Sequence, residues 1–248
     1  MPTPQTPLYE TQKLLHEYLL FHYGTACEVM PWSQGPKDAL DFPVRTVREL
    51  MDSQRLPENA SALDLGCAVG RSSFELARLC ETVIGIDYSH SFIHAAQVLQ
   101  TQATLPYSML EEGRQLSSHM ATIGQDIPRE RAHFEQGDAM HLRADLGSFD
   151  LVHAANLLCR LTEPTLLLQR FPELVKPGGQ LLLTTPCTWL AEFTPPEHWP
   201  PASTKDWLTQ HLSSHFILAE EKDMPFVIRE HARKYQWTVA WGTRWIRR

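Results

Sequence analysis

The sequence lacks an apolar run long enough to cross a membrane, and it has too few cysteines for a disulfide framework. A membrane-spanning helix needs about 20 consecutive, mostly apolar residues, and no such run occurs in the 248 residues. The N-terminus, M-P-T-P-Q-T-P, has none of the apolar core of a signal peptide. The five cysteines are odd in number, scattered and without a C-x-x-C pair, so we expect reduced thiols in a cytoplasmic protein.

Basic clusters are also missing. The 22 Lys and Arg residues are outnumbered by 29 Asp and Glu, which gives a net charge of −7. The first two hundred residues contain no block of Lys or Arg, so a nucleic-acid partner is not expected. With 43% hydrophobic and 21% charged residues and no internal repeat, the composition fits one α/β domain, with or without an appendage.

The glycine pattern of a dinucleotide-binding loop, G-x-G-x-x-G, is absent too. The loop reads D-L-G-C-A-V-G-R, with Ala68 and Arg71 where that pattern needs glycine. The runs on either side predict a strand, a helix and a second strand that ends in Asp87, which together make one right-handed βαβ unit. Gly66 and Gly70 allow a sharp turn and the close approach of a ligand.

Three acidic residues are predicted to meet at the carboxyl edge of this sheet, where parallel sheets bind their ligands. Asp64 and Asp87 end the first two strands, and Asp138 follows the third, Ala132–Gln136. An acid beside the loop would repel a pyrophosphate but suits a cation such as S-adenosylmethionine. Asp87 is placed to accept from both ribose hydroxyls, although that spacing also fits NAD, and Asp138 could accept from the adenine amino group. A glycine turn that binds nothing remains the alternative.

The chain is predicted to form a single structural unit with an N-terminal helical cap, 1–52, and a domain, 53–248, that has an insertion at about 101–131. The cap contains two predicted helices, Tyr9–Tyr23 and Phe42–Asp52, after residues 1–7, which are expected to be mobile. The insertion contains a predicted β-hairpin around E-E-G and is interpreted as a lid or an edge elaboration. Further predicted elements are strands at Phe149–Ala155, Gln180–Thr185, Phe216–Glu220 and Gln236–Ile246, and helices at Pro164–Leu174, with Pro172 as a kink, and from the Ser203 capping box to Leu212.

Two regions are candidates for the substrate pocket. The aromatic, proline-rich segment Pro186–Pro201 leaves the sheet at the ligand edge and forms either a pocket wall or a surface loop. Asn156 ends the fourth strand and is predicted to face the reactive group. The charged segment P-F-V-I-R-E-H-A-R-K-Y is interpreted as a hook between the last two strands.

Taken together, these motifs resemble the class I S-adenosylmethionine-dependent methyltransferases. The features are D-L-G-C-A-V-G, the acid of G-I-D-Y-S, and the G-D-A, F-D-L-V and K-P-G-G motifs that follow. Ala68 stands where the family usually has its middle glycine. The resemblance implies an α/β, Rossmann-like sheet that is mostly parallel with a reversed last strand.

Nearly the whole chain also resembles the mercaptohistidine N-methyltransferases of ovothiol biosynthesis, which occur alone or as the C-terminal domain of bifunctional ovothiol synthases. Five strings support this: L-L-F-H-Y-G (19–24), D-F-P-V-R (41–45), C-A-V-G-R-S-S-F-E-L-A (67–77), P-C-T-W-L (186–190) and P-F-V-I-R-E-H-A-R-K-Y-Q (225–236). The last string is the most specific. The resemblance implies methylation of a ring nitrogen of 5-thiohistidine, which gives ovothiol A and S-adenosylhomocysteine.

The residues predicted to form this site fall into three groups. Asn156 is the strongest catalytic candidate, with His22 or Tyr23 as a possible general base. Arg229 and Arg45 are candidates for binding a carboxylate, because bidentate pairing favours arginine; Trp189 and Tyr235 complete the predicted substrate site. The predicted cofactor-binding residues are Asp64, Gly66, Ala68, Gly70, Arg71, Asp87, Tyr88, Asp138, Ala139 and Asn156.

No metal site is predicted. The iron-binding H-x-x-x-H-x-E of ovothiol synthases is incomplete at His90 and His94, where Ala96 replaces the acid, and at His211 and His215, where Ile217 does. We therefore expect methylation rather than C–S bond formation, with a separate sulfoxide synthase as functional partner. Two alternatives remain: a methyltransferase for another small imidazole, such as 5-selenohistidine or histidine, and a non-catalytic protein that binds S-adenosylmethionine.

Overall fold

The computed structural model describes residues 8–248, so the first seven residues and the prediction made for them lie outside the description. Its main element is a seven-stranded sheet formed by β1 Ser61–Leu65, β2 Thr82–Asp87, β5 Ala132–Gln136, β6 Phe149–Ala155, β7 Val175–Thr185, β8 Phe216–His231 and β9 Lys234–Arg247. Across the sheet these strands have the order β5-β2-β1-β6-β7-β9-β8.

The direction of the strands confirms the predicted sheet. β2, β1, β6 and β7 pair in parallel, as do β2 and β5. Only β9 runs antiparallel to its neighbours, β7 and β8. Both faces are covered, as is usual for parallel sheets: along β1, Leu63 and Leu65 enter one apolar cluster and Ala62 enters another.

Seven α-helices in the described chain surround the sheet. They are α1 Gln12–Tyr23, α2 Ala26–Val29, α3 Phe42–Arg48, α4 Arg71–Leu76, α5 His90–Gln102, α6 Pro164–Leu174 and α7 Thr204–Leu212. α1 starts later than predicted because the Thr11 hydroxyl caps its first turn by accepting from the Leu14 amide. Pro172 lies in the last turn of α6 and removes the hydrogen bond that an N–H would donate there to the Leu168 carbonyl; the helix ends two residues later, at Leu174. None of the helices in residues 8–248 is long and apolar enough to cross a membrane.

The insertion forms the expected hairpin, with β3 at Thr104–Glu112 and β4 at Gln115–Thr122. The charged segment near the C-terminus differs from its prediction, because it is not a hook between two short strands. It continues β8 and β9 as one hairpin that pairs as far as His231 and Lys234. Pro225 is tolerated there because β8 is the edge strand of the sheet.

Candidate active site

A cavity of about 490 Å³ lies at the carboxyl ends of the central strands. The sheet supplies one side of it, through the residues that follow β1, β2, β5 and β6. The N-terminal segment supplies much of the other side, through Tyr9, Tyr18, Phe21 and His22. The cavity is therefore enclosed between the predicted cap and the ligand edge of the sheet. No residue of the β3–β4 hairpin is among the described residues that line it.

The loop after β1 is held in a conformation that depends on small residues. Gly66, Ala68 and Gly70 have φ of +69°, +47° and +87°, in the left-handed region. A Cβ on Gly66 would lie 3.0 Å from Leu157, and one on Gly70 would lie 2.8 Å from the ring of Phe134. Gly66 and Ala68 line the cavity, whereas Gly70 does not and serves the packing of the loop.

Asp87 fixes this loop and faces the cavity. Its carboxylate accepts from the Ala68 and Ser89 amides, each at 2.9 Å, which orients both oxygens. Burial raises the pKa of Asp87 to about 6, although the two amides oppose the shift. A carboxylate held in this way still has lone pairs for the hydroxyls of a ribose.

The other end of the predicted cofactor site lies beyond β5. Asp138 and Ala139 both line the cavity, as does Tyr88, whose side chain is largely exposed. The Asp138 carboxylate accepts from the Met140 amide at 2.9 Å and lies 2.9 Å from His141 Nδ1. These residues and Asp87 are brought to one edge by the parallel strands, as the sequence predicts.

Asp64 occupies a different place from the one its position suggested. It is 1% exposed and does not line the cavity. Its carboxylate accepts from the Ser72 and Ser73 hydroxyls at 2.7 and 2.6 Å and lies 2.7 Å from His153 Nδ1. Its predicted direct contact with the ligand is therefore replaced by an indirect role, the positioning of α4 and His153. Arg71 is likewise turned away, toward Glu75 at 3.5 Å.

Of the two predicted bases, only His22 reaches the cavity. Burial lowers the pKa of His22 to about 3, so its ring is neutral near pH 7. His22 Nδ1 is buried and has no hydrogen-bond partner among the described residues. The Tyr23 hydroxyl instead donates to the Val69 carbonyl at 2.7 Å, so Tyr23 holds α1 against the glycine loop.

Asn156 lies at the cavity in a constrained backbone conformation. It has a φ of +53°, which an asparagine tolerates better than most residues. Its amide donates to the Thr184 carbonyl at 2.9 Å, and its Oδ1 accepts from the Thr184 hydroxyl at 2.9 Å. This arrangement fixes Asn156 at the end of β6.

The four predicted substrate residues do not line the cavity. Arg45 pairs with Glu49 at 2.6 Å, and Arg229 is buried against Glu111 and the Glu28 carbonyl. Trp189 donates to the Thr204 hydroxyl at 3.0 Å, and the Tyr235 hydroxyl donates to the Ala232 carbonyl at 3.1 Å. The reason is the fold of the C-terminal segment: as part of the β8–β9 hairpin, Arg229 and Tyr235 pack toward α2 and β3.

Several lining residues escaped the sequence analysis. Phe226 and Ile228, at spacing two on β8, share one face of the strand and reach the cavity together. Arg160 follows Asn156 by four residues, a position that could have singled it out. Thr46 and His153 line the cavity and are joined by a 3.0 Å contact between Thr46 Oγ1 and His153 Nε2, for which no sequence signal exists.

Comparison with known proteins decides the family. A family profile described as a methyltransferase domain matches residues 38–231. The chain belongs to this methyltransferase family. Among its relatives, the ubiquinone biosynthesis O-methyltransferase of Xanthomonas axonopodis pv. citri is 30% identical over 152 residues, 61% of this chain and 52% of that protein. The trans-aconitate 2-methyltransferase of Deinococcus radiodurans is 32% identical over 154 residues, 60% of this chain and 46% of that protein. The chain thus spans about half the length of these curated relatives.

Solved structures confirm the Rossmann-like methyltransferase fold. The YcgJ protein of Bacillus subtilis superposes with a TM-score of 0.53 at 13% identity, covering 78% of this chain and 94% of that one. A SAM-dependent methyltransferase of Methanosarcina mazei superposes with a TM-score of 0.52 at 19% identity, covering 78% and 94%. Together with the family match, this fold makes S-adenosylmethionine the expected cofactor.

The residues present fit that cofactor. Gly66 lies at the cavity wall, Asp87 presents an oriented carboxylate for a ribose, and Asp138 lies further along the same edge. Among residues 8–248, no three His, Cys, Asp or Glu side chains come together in a way that could hold a metal ion.

Proposed function

We propose that this methyltransferase transfers a methyl group from S-adenosylmethionine to a ring nitrogen of 5-thiohistidine, giving ovothiol A. One observation carries the proposal: the five strings that resemble mercaptohistidine N-methyltransferases are far apart in sequence, yet each contributes to the lining of one cavity. The contributions are Phe21 and His22, Phe42 and Pro43, Ala68 and Ser72, Pro186, and Phe226 and Ile228.

The size and lining of the cavity support a small, flat acceptor. Tyr18, Phe21, Phe42 and Phe226 provide aromatic walls, and aromatic pairs of this kind favour stacked or edge-on rings. Phe42 and Phe226 lie with ring centroids 4.7 Å apart. A volume of about 490 Å³ lies within the usual range of small-molecule pockets.

The main task of the protein in this reaction is to align the acceptor nitrogen with the methyl group of the cofactor. The cofactor supplies an already activated methyl group when bound, so proximity and orientation account for most of the barrier reduction. Asp87 and Asp138 would fix the two ends of the adenosine. Asn156, held by Thr184, would fix the position of the acceptor beside the reacting methyl.

His22 is suited to orienting the acceptor ring. The acceptor nitrogen must present a lone pair, so the N–H on the other side of the imidazole needs a hydrogen-bond partner. His22 lines the cavity and is neutral, so a ring nitrogen that carries no proton can accept that hydrogen bond. A group with a pKa of about 3 is too weak a base to keep a proton near neutral pH, which favours orientation over general-base catalysis.

The test is mass spectrometry of the purified protein with S-adenosylmethionine and histidine, 5-thiohistidine or 5-selenohistidine. We expect a gain of one methyl on 5-thiohistidine, strongly reduced in Asp87→Asn and unchanged in the surface control Asp145→Asn. A methyl gain on histidine or 5-selenohistidine alone would replace the proposed substrate. Binding of S-adenosylhomocysteine without turnover of any acceptor would favour the non-catalytic alternative.

The same proposal implies that another enzyme acts before this one. Because H-x-x-x-H-x-E is incomplete in this sequence, the sulfur of the substrate would be introduced elsewhere. A separate sulfoxide synthase would therefore act before this methyltransferase.

A further inference from the structure

We infer that Arg160 binds the carboxylate of the acceptor and so selects an α-amino acid over an amine; the inference rests on the proposed function. It replaces the carboxylate role predicted for Arg229 and Arg45, because neither of these residues lines the cavity.

The first observation is the location of the charge. Arg160 is the only Lys or Arg among the described residues that line the cavity. It ends the 3₁₀ turn Leu158–Arg160, which directly follows Asn156 and Leu157. The turn thus places one positive charge beside the residue that we assign to the reacting end of the acceptor.

The second observation is that this charge is unpaired. The other arginines discussed above are neutralised: Arg45 by Glu49, Arg71 by Glu75 and Arg229 by Glu111. No salt bridge to Arg160 occurs within the described residues; its guanidinium interacts with the Cys159 carbonyl at 3.3 Å, the Cys159 sulfur at 3.8 Å and the Tyr9 hydroxyl. A guanidinium has five N–H donors in a planar fork, so most of them remain for a ligand.

The third observation is that the side chain of Arg160 is restrained by aromatic neighbours. Its guanidinium carbon lies 4.5 Å from the centre of the Phe193 ring, a cation–π contact that restrains the side chain. Tyr9, which also lines the cavity, packs on Phe193 with ring centroids 6.1 Å apart. Burial raises the pKa of Tyr9, so its hydroxyl stays protonated and can donate to the same anion. An aromatic frame around an unpaired arginine matches a planar carboxylate, which accepts two parallel N–H bonds.

Arg160 could instead bind the carboxylate of the cofactor, because the cofactor also carries an amino-acid tail, and the experiment must distinguish the two carboxylates. S-adenosylhomocysteine has that tail but is not the acceptor. A residue that binds the cofactor tail will change the affinity for S-adenosylhomocysteine, whereas a residue that binds the acceptor will not.

The experiment compares Arg160→Gln and Arg160→Lys with wild type in three measurements: KM for 5-thiohistidine, KM for its decarboxylated analogue 5-thiohistamine, and Kd for S-adenosylhomocysteine by calorimetry. We expect Arg160→Gln to raise KM for the amino acid about 10- to 100-fold, the loss of a charged hydrogen bond. Arg160→Lys should recover part of the loss. KM for the amine and Kd for S-adenosylhomocysteine should stay within about twofold, given the usual scatter of such values.

Arg143→Gln removes a surface arginine paired with Glu135 and serves as the charge-matched control. The inference is overturned if Arg160→Gln changes KM equally for the amino acid and the amine, or leaves both KM values unchanged. It is also overturned if Kd for S-adenosylhomocysteine rises by the same factor as KM for the amino acid. Wild-type protein that methylates none of the amino acids would instead reject the proposed function and the inference with it. A wild type that methylates 5-thiohistidine while Arg160→Gln behaves normally would reject the inference alone.

Discussion

At the residue scale, burial sets the charge of Asp87, and this predicts how cofactor binding depends on pH. The pKa of Asp87 is raised from 3.8 to about 6, mainly by desolvation. A raised carboxyl pKa means that Asp87 stabilises the free protein below pH 3.8 and that this contribution is lost as the pH rises through about 6. The ionised form, unfavourable in the free protein, is the one that accepts from a ribose.

We therefore expect S-adenosylhomocysteine to bind more weakly as the pH falls below about 6, by up to about tenfold per pH unit. Calorimetric titrations between pH 5 and 8, at constant ionic strength, measure this. Asp87→Asn should bind weakly and without this pH dependence. A wild-type affinity that stays constant over the range would contradict the role given to Asp87.

His22 leads to a prediction of the opposite sign, for stability. Its pKa falls from 6.5 to about 3 on folding, so its contribution to stability is present above pH 6.5 and is lost as the pH falls toward 3. Between pH 7.5 and 5 this amounts to at most about 2 kcal/mol. Urea unfolding at the two pH values should show a smaller difference for His22→Gln than for wild type. Equal differences would mean that His22 is not held neutral in the folded protein.

Asn156 allows backbone strain and side-chain function to be separated. At φ of +53°, glycine is unstrained, whereas alanine costs about 1 kcal/mol. We expect Asn156→Gly and Asn156→Ala both to lower kcat, because both remove the side chain. The free energy of unfolding, measured by urea titration, should be lower for Asn156→Ala than for Asn156→Gly. Full activity in Asn156→Gly would remove Asn156 from the site.

At the element scale, the C-terminal hairpin β8–β9 differs from the structure that its sequence pattern predicts. The βαβ unit is predictable because its apolar runs, glycines and terminal acids all lie within residues 61–89. β8 is harder to predict because Pro225 and the charges at 229–231 interrupt its alternation. What holds these residues in a strand is tertiary: Arg229 donates to the Glu28 carbonyl and Glu111, which are over one hundred positions away. The same limit applies to Thr46, since nothing in its local sequence places it beside His153.

This placement changes what Arg229 is expected to do. Arg229 is 6% exposed and joins β8 to α2 and to the β3–β4 hairpin. Arg229→Ala should lower the free energy of unfolding by about 2 kcal/mol, because it removes a buried ion pair. The loss is smaller than for a fully buried pair because Glu111 is partly solvated and can turn to water. KM for the acceptor should not change in the folded protein. A raised KM with unchanged stability would restore the substrate role that the sequence suggested.

At the scale of the whole molecule, the cavity lies between the predicted N-terminal cap and the sheet, two parts of what the sequence predicts to be a single structural unit. The sheet contributes Asp87, Asp138 and Asn156, while the N-terminal segment contributes Tyr9, Tyr18 and His22. A ligand in this cavity touches both parts at once, so its binding energy must stabilise the N-terminal segment against local opening as well as the loops of the sheet. The β3–β4 hairpin, in contrast, packs outside the cavity lining.

Hydrogen exchange with and without S-adenosylhomocysteine tests this division. We expect slower exchange in residues 8–23 and 66–70, where the described chain lines the cavity or supports its walls. The tip of the hairpin, residues 112–116, should exchange at the same rate in both states and serves as the internal control. Protection of the tip would mean that the insertion closes over the bound ligand, as a lid does. Unchanged exchange in α1 would mean that the N-terminal segment does not share in binding, because a wall that the ligand contacts cannot open as freely once that contact is made.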